Sequence, residues 1–225
     1  MNNRKVQPEL VEIRTGRPAL LAGQLTAYGK QRRDGPVFAA RLGLEGDAVA
    51  NQRVHGGPEK AVYAYSLDQY AAWRESHPQH AERLVPGGFG ENLVIAGLTE
   101  TDVQTGDRWR IGEALVEVCQ PRQPCNTLAR WFDDAKMVKA MVQNGRCGWY
   151  LRVVEEGPMQ AGDHPVLEHR PRFGWTIARV VQASYRRPPD RAEMIELSQA
   201  PGLASGWAEW AGKTAMAEKP GPKPL

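Results

Sequence analysis

The sequence predicts a mainly β protein, a barrel or sandwich with helices inserted in its connections, followed by a small three-helix appendage. Three observations carry this expectation. The first two thirds of the chain breaks into short extended segments separated by glycine-containing turns, and two helical stretches interrupt that pattern. From about Trp175 onward strand signals stop and three short helical patterns follow. The 225 residues are 41% hydrophobic and 24% charged and include seven Trp, which is enough to bury a sizeable core without disulfide staples.

The elements follow in order. SLDQYAAWRES predicts the first helix, because Ser66 and Gln69 have capping-box spacing and Leu67, Tyr70, Ala71 and Arg74 follow helical periods, with Pro78 ending it. Arg108 to Gln120 predicts a hairpin in which RWRI and ALVEVCQ flank Gly112 and Glu113. Ala114, Val116 and Val118 then fall on one face, and Leu115, Glu117 and Cys119 on the other. A second helix starts near Asp133 or Asp134 and runs through Lys136, Met137, Ala140 and Met141 to a cap at Asn144-Gly145. GWYLRVVEEG, rich in β-branched and aromatic residues, reads as a strand stopping at Gly157-Pro158, with Pro165 to Arg170 returning as another. Helical patterns over 176–185, 190–199 and 205–217 are punctuated by Pro188-Pro189 and Pro201-Gly202. The expected division is a β domain over residues 1–172 and a three-helix domain over 173–225 that ends in a frayed KPGPKPL tail. So small a helical unit is expected to lean on the barrel, where it either covers sheet edges, the simpler role, or offers a docking surface to a partner protein.

Charge and composition narrow the function classes. Lys plus Arg number 29 against 26 Asp plus Glu, a net charge of +3, and the basic residues are scattered singly, so stable nucleic-acid binding is not expected. No apolar run reaches the length of a membrane span, and MNNRKVQPEL lacks the apolar core of a signal peptide, so the expected location is the cytoplasm. Cys119, Cys125 and Cys147 are an odd number in such a chain, and free thiols are expected.

Three segments can carry chemistry. In QPRQPCNTLAR, two prolines fix the backbone ahead of Cys125, Arg122 supplies positive charge, and a helical turn begins at Asn126 or Thr127. A thiol in that setting is thiolate-rich and suits a soft metal, although a buried structural cysteine fits almost equally well. Cys119, within its strand, reads as structural, and Cys147 as packing or surface. In RVHGGPEKAV, Gly56 and Gly57 can turn backbone amides toward an anion, with Arg53, His55 and Lys60 nearby; a plain turn at Pro58 is the simpler reading. PGGFGENL places Gly87, Gly88 and Gly90 ahead of Glu91 and Asn92. Walker A, dinucleotide, GxSxG and HExxH patterns are absent, and His77 and His80 have no thiol nearby for a zinc site. A cysteine-protease pairing of Cys125 with His55 rests on a lone Cys and a lone His.

Taken together, GLEGD at 43–47, VHGGPEKAV at 54–62, GFGENL at 88–93, TGD at 105–107 and QPRQPC at 120–125 resemble the MOSC domain, the molybdenum cofactor sulfurase C-terminal domain. Their order and the three-helix tail are similar to the bacterial YiiM-like group, associated with resistance to 6-N-hydroxylaminopurine. The resemblance spans nearly the whole chain. It implies a MOSC-type β-barrel holding a molybdopterin-type molybdenum cofactor, with Cys125 as the protein ligand to the metal. Arg53, Gly56, Gly57, Gly90, Asn92 and Arg122 would then bind the cofactor, and His55 and Lys60 would join Cys125 in catalysis. The reaction so implied is reduction of an N-hydroxylated compound, the hydroxyl leaving as water.

No flavin or nicotinamide fingerprint and no set of four cysteines is present, so electrons are expected from a separate donor protein. Two rival functions use the same fold. One is a sulfur carrier with a persulfide on Cys125, and the other is a module that stores the cofactor without turnover. Trp207 and Trp210, three apart on a helix, either mark a homodimer interface or pack inside the appendage.

Overall fold

The structure is a computed structural model that describes residues 7–217 and Lys223. The KPGPKPL tail lies outside the described residues apart from Lys223. Thirteen strands are described: β1 (Glu9–Thr15), β2 (Ala19–Leu21), β3 (Gln24–Thr26), β4 (Gln31–Arg33), β5 (Val37–Ala40), β6 (Gly43–Leu44), β7 (Val62–Ser66), β8 (Leu93–Ala96), β9 (Arg108–Ile111), β10 (Ala114–Pro121), β11 (Trp149–Glu155), β12 (Gly157–Met159) and β13 (Val166–His169). The helices are α1 (Gln52–His55), α2 (Gln69–Ser76), α3 (Asn126–Phe132), α4 (Lys136–Asn144), α5 (Ile177–Tyr185), α6 (Arg191–Ser198) and α7 (Ser205–Met216).

Eight strands form one mixed sheet in the order β13-β9-β10-β11-β7-β8-β1-β4. All its pairs are antiparallel except β7 with β8, which are joined through α2 as a parallel crossover. A three-stranded sheet, β12-β5-β6, and the β2-β3 hairpin complete the β structure. Backbone bonds draw the large sheet into a barrel-like wrap. Leu10 N donates to Asp163 O and Gly162 N to Leu10 O, both at 2.8 Å, which ties β1 near one end of the sheet to the turn leading into β13 at the other.

Local chemistry explains most elements. The β9-β10 hairpin turns at Gly112, whose φ of 57° suits a residue without a side chain. α4 ends at Gly145 in the left-handed conformation, φ 69°, as the Asn144-Gly145 signal predicts. Thr176 caps α5 by accepting from Arg179 N at 3.1 Å, and Asp190 caps α6 by accepting from Glu193 N at 3.1 Å. Two expectations are corrected. The capping box at Ser66 does not form, because Ser66 ends β7 and α2 starts only at Gln69, after Asp68. The strand expected to stop at Gly157-Pro158 stops at Glu155, because Gly157 and Pro158 pair with β5 as part of β12.

The hydrophobic core falls into two clusters. Leu10, Val62, Leu93, Val116, Trp149 and Leu151 belong to the first, inside the sheet. Cys119, Trp175, Met194, Leu197, Trp207 and Trp210 belong to the second. β10 explains the division, since Ala114, Val116 and Val118 face the first cluster whereas Cys119 packs into the second. All eight of its residues are buried, because the C-terminal helices cover the face that alternation alone would leave polar. The helices thus cover the middle of the sheet, not the edges β4 and β13. Trp207 and Trp210 meet edge to face at 5.8 Å within the appendage, 2% and 6% exposed, so they are not an exposed interface.

TGD belongs to this seam. Asp107 is fully buried and accepts from Arg170 Nε at 2.8 Å and Nη2 at 2.6 Å, and Thr105 N donates to Trp175 O at 2.8 Å. Among the described residues no helix is long and apolar enough to cross a membrane.

Candidate active site

A cleft of about 700 Å³, its open mouth included, lies where the segments after β3, β6, β10 and α1 converge. One wall is built by the residues after β10. Pro121 ends the strand, Arg122 turns inward, and Cys125 adopts an extended conformation (φ −129°, ψ 174°) immediately before α3. Cys125 is half-buried; Cys119 and Cys147 are buried, and all three thiols are free.

Environment separates the three. Burial pushes the Cys119 thiol up to about 12, and its Sγ donates to Glu59 O at 3.0 Å, which makes it a packed, inert group. Burial likewise raises Cys147. At Cys125 burial also acts upward, but the charge of Arg122 and the polar groups of Thr127 outweigh it and hold the thiol below its ordinary range. A lowered value means that the thiolate persists to lower pH, so the midpoint of iodoacetamide alkylation at Cys125 should fall below that of a free cysteine thiol measured under the same conditions. A midpoint at or above that value would contradict the assignment.

Arg122 is 6% exposed. Its guanidinium carbon lies 5.6 Å from the Tyr63 ring and 5.8 Å from the Tyr28 ring, and Nη1 donates to Met141 Sδ at 3.4 Å. Among the described residues no carboxylate pairs with it. Burial opposes its charge, but the surrounding phenols and Cys125 hold it as a cation. A buried cation lining a cleft without an acid partner is a site for an anion.

The opposite wall is a fixed polar cluster. Lys30 Nζ contacts both Asp47 oxygens at 2.6 Å, and Asp47 also accepts from Gly16 N at 2.7 Å and Asn92 Nδ2 at 2.9 Å. Asn92 accepts from Tyr63 N at 3.1 Å and donates to Arg14 O at 3.1 Å, so both its donors are spent inside the protein. Asn92 therefore positions Asp47 and has no amide hydrogen left for a ligand. Gly90 lines the cleft at φ 76°, where a Cβ would stand 3.0 Å from the Tyr28 ring, so conformation and space both require glycine. Glu91 is fully buried, accepts from Gly87 N at 2.6 Å, Phe89 N at 3.1 Å and the Tyr70 hydroxyl, and so fixes the shape of the PGGFGENL loop.

The structure brings Cys125, Arg122, His55, Lys60, Gly90 and Asn92 to this cleft. Burial, then the charges of Lys60 and Arg122, lower the pKa of His55, so its imidazole is neutral at neutral pH. Burial also lowers Lys60. Among the described residues no hydrogen bond joins His55 to Cys125, so the protease-type pair is not assembled. Arg53 stands exposed on α1 and does not line the cleft, and Gly56 and Gly57 line a neighbouring groove instead. Sequence reasoning missed Tyr28, Lys30, Asp47, Tyr63 and Tyr150, which also line the cleft. Only Asp47 carried a signal, as the last residue of GLEGD. His80, considered for zinc, pairs with Asp134 at 3.0 Å.

Fold and cleft define a MOSC-type protein, and a family model described as the MOSC domain matches residues 51–166. A second model, described as YiiM-like, 3-alpha helix domain, matches residues 175–209. The chain belongs to the MOSC domain family, in its YiiM-like group. It is 35% identical over 210 residues to Protein YiiM of Escherichia coli (strain K12), covering 93% of both chains. It is also 35% identical over 196 residues to a protein named Reductase from Gibberella moniliformis, covering 85% of this chain and 35% of that longer one. The crystal structure of YiiM from Escherichia coli superposes with a TM-score of 0.82 at 31% identity, over 96% of each chain. The family is associated with molybdenum cofactor binding.

Proposed function

We propose that the cleft holds a molybdopterin-type molybdenum cofactor and that the protein reduces N-hydroxylated compounds, 6-N-hydroxylaminopurine among them. The observation that carries this reading is a thiolate-favouring Cys125 on the cleft wall beside Arg122, a buried cation with no acid partner among the described residues. The residues fit the group. Cys125 offers a soft ligand, and no group of three His, Cys, Asp or Glu among the described residues is placed to hold a bare metal ion, so a centre that brings its own further ligands suits the site. Arg122 and Lys60 complement a phosphate, and Gly90 lets backbone approach closely.

When bound, the cofactor supplies the two-electron redox chemistry. The chain's own groups do the rest. The N–O bond of the substrate breaks, two electrons and two protons are taken up, and an amine and water result. Lys60 delivers a proton toward the departing hydroxyl, and neutral His55 orients the substrate. Electrons come from a separate donor protein, and the relative named Reductase supports the reaction class. Arg53, Gly56 and Gly57 do not line the cleft.

The test is molybdenum content of protein purified from a host that makes the cofactor, followed by turnover of 6-N-hydroxylaminopurine with reduced viologen as electron donor. Near-stoichiometric metal and adenine formation are expected. A metal-free protein bearing labile sulfur on Cys125 would replace this reading by the sulfur carrier, and metal without turnover by the storage module.

A further inference from the structure

Reduction of an N-hydroxylated compound takes up two protons, one at the departing oxygen and one at the nitrogen, and Lys60 serves the first. The source of the second is narrowed by the other ionisable groups on the cleft wall, which are committed elsewhere. Tyr28 donates its hydroxyl hydrogen to Gly88 O at 3.2 Å, and Tyr63 donates its own to Cys147 O at 2.8 Å. Asp47 accepts from Lys30 Nζ at 2.6 Å, from Gly16 N at 2.7 Å and from Asn92 Nδ2 at 2.9 Å. His55 is neutral at neutral pH and is no acid there. Cys125 is held toward the thiolate by Arg122.

Tyr150 is the exception. It is half-buried, it lines the cleft together with Lys60, His55 and Cys125, and its hydroxyl makes no hydrogen bond to any described residue. The ring is well anchored. Tyr150 sits inside β11, paired opposite Tyr63 of β7 on one side and Gln120 of β10 on the other. Its carbonyl oxygen accepts from Cys119 Sγ at 3.4 Å, and its ring lies 5.3 Å from that of Tyr63 at an interplanar angle of 39°. A group carried on a central strand is in position before a substrate arrives. Burial raises the phenol to about 12, so it keeps its proton through neutral pH, while the charge of Arg122 acts in the opposite direction and stabilises the phenolate left after transfer.

We propose that Tyr150 is the acid that protonates the nitrogen end of the N–O bond, with Lys60 serving the oxygen end. Two electrons from the donor protein enter the N–O bond and break it. The hydroxyl takes the Lys60 proton and leaves as water; the nitrogen takes the Tyr150 proton and becomes the amine. Both residues regain their protons from solvent at the open mouth of the cleft. The inference rests on the reductase reading, and it assigns the half of the proton uptake that Lys60 leaves unserved.

The decisive variant is Tyr150→Phe, which removes one oxygen atom and keeps the ring against Tyr63. With reduced viologen as donor, kcat for 6-N-hydroxylaminopurine should fall about 10²-fold or more, the scale of a lost general acid, while KM, molybdenum content and Tm stay at their wild-type values. A second measurement needs no turnover. In protein purified from a host that cannot make the cofactor, N-acetylimidazole followed by peptide mass analysis should acetylate Tyr150 and spare Tyr28 and Tyr63, whose hydroxyls are bonded to backbone carbonyls. Unchanged kcat in the variant overturns the proposal and leaves the reductase reading intact, as does a Tyr150 that resists acetylation. Loss of metal or a lowered Tm in the variant would likewise overturn it, by showing that the hydroxyl holds the cofactor or the fold. Metal-loaded wild-type protein without turnover sinks the reductase reading, and the proton-donor role with it.

Discussion

Replacing Cys125 by alanine should remove essentially all molybdenum from the purified protein and lower reductase turnover by a factor of at least about 10³, the scale expected when a group essential to the chemistry is lost. Stability should hardly change, because the thiol is half-buried, stands ahead of α3 and belongs to neither core cluster. Cys119→Ala should do the reverse. Its sulfur is fully buried in the second cluster and bonded to Glu59 O, so the variant should keep metal and activity while losing about 1 kcal/mol, or ~2–4 °C in Tm for a chain of this size. Metal analysis and thermal melting on the two variants side by side decide the matter. Full activity in Cys125→Ala would show that the thiol has been given the wrong role.

The second large effect is expected at Arg122. Taking a guanidinium out of water costs several kcal/mol, and here no carboxylate offsets it; contacts with two tyrosine rings return roughly 1–2 kcal/mol each. Arg122→Met, similar in length and apolar, should therefore leave Tm unchanged or raise it by a few degrees, while metal content falls at least about tenfold. The sign at Cys125 follows from the same charge. Arg122 favours the thiolate, so its removal leaves only the hydrogen bonds from Thr127 and Leu128 against burial, and the alkylation midpoint should move upward from that of the unchanged protein. A variant that keeps its metal and an unshifted Cys125 midpoint would show that Arg122 is merely structural. Gain of stability with loss of function is the pattern expected where a site, not the fold, retains a buried charge.

Local signals were legible in the sequence wherever one or two neighbouring residues settle a conformation. Gly112 and Gly145 set a turn and a helix end, Thr176 and Asp190 cap their helices, and the hairpin and the three C-terminal helices follow their hydrophobic periods. The same holds for Cys125, because prolines and Arg122 adjoin it along the chain. Ser66 shows the limit of such reasoning. Its spacing to Gln69 satisfies a local rule, yet pairing of β7 with β8 claims it for a strand, since the ladder offers its backbone more than one capped turn does.

The tertiary structure alone decided who faces the cleft. Tyr28, Lys30 and Tyr150 come from separate stretches of chain, and no local pattern distinguishes them from core tyrosines and surface charges. Asn92 lines the cleft with both amide hydrogens given to Arg14 O and Asp47, while Arg53, Gly56 and Gly57 share a motif with His55 but not its cleft. Burial of β10 on both faces exists only because the appendage folds back over the sheet. Backbone conformation is fixed by neighbours in sequence, whereas desolvation, charge and hydrogen-bond completion are fixed by neighbours in space.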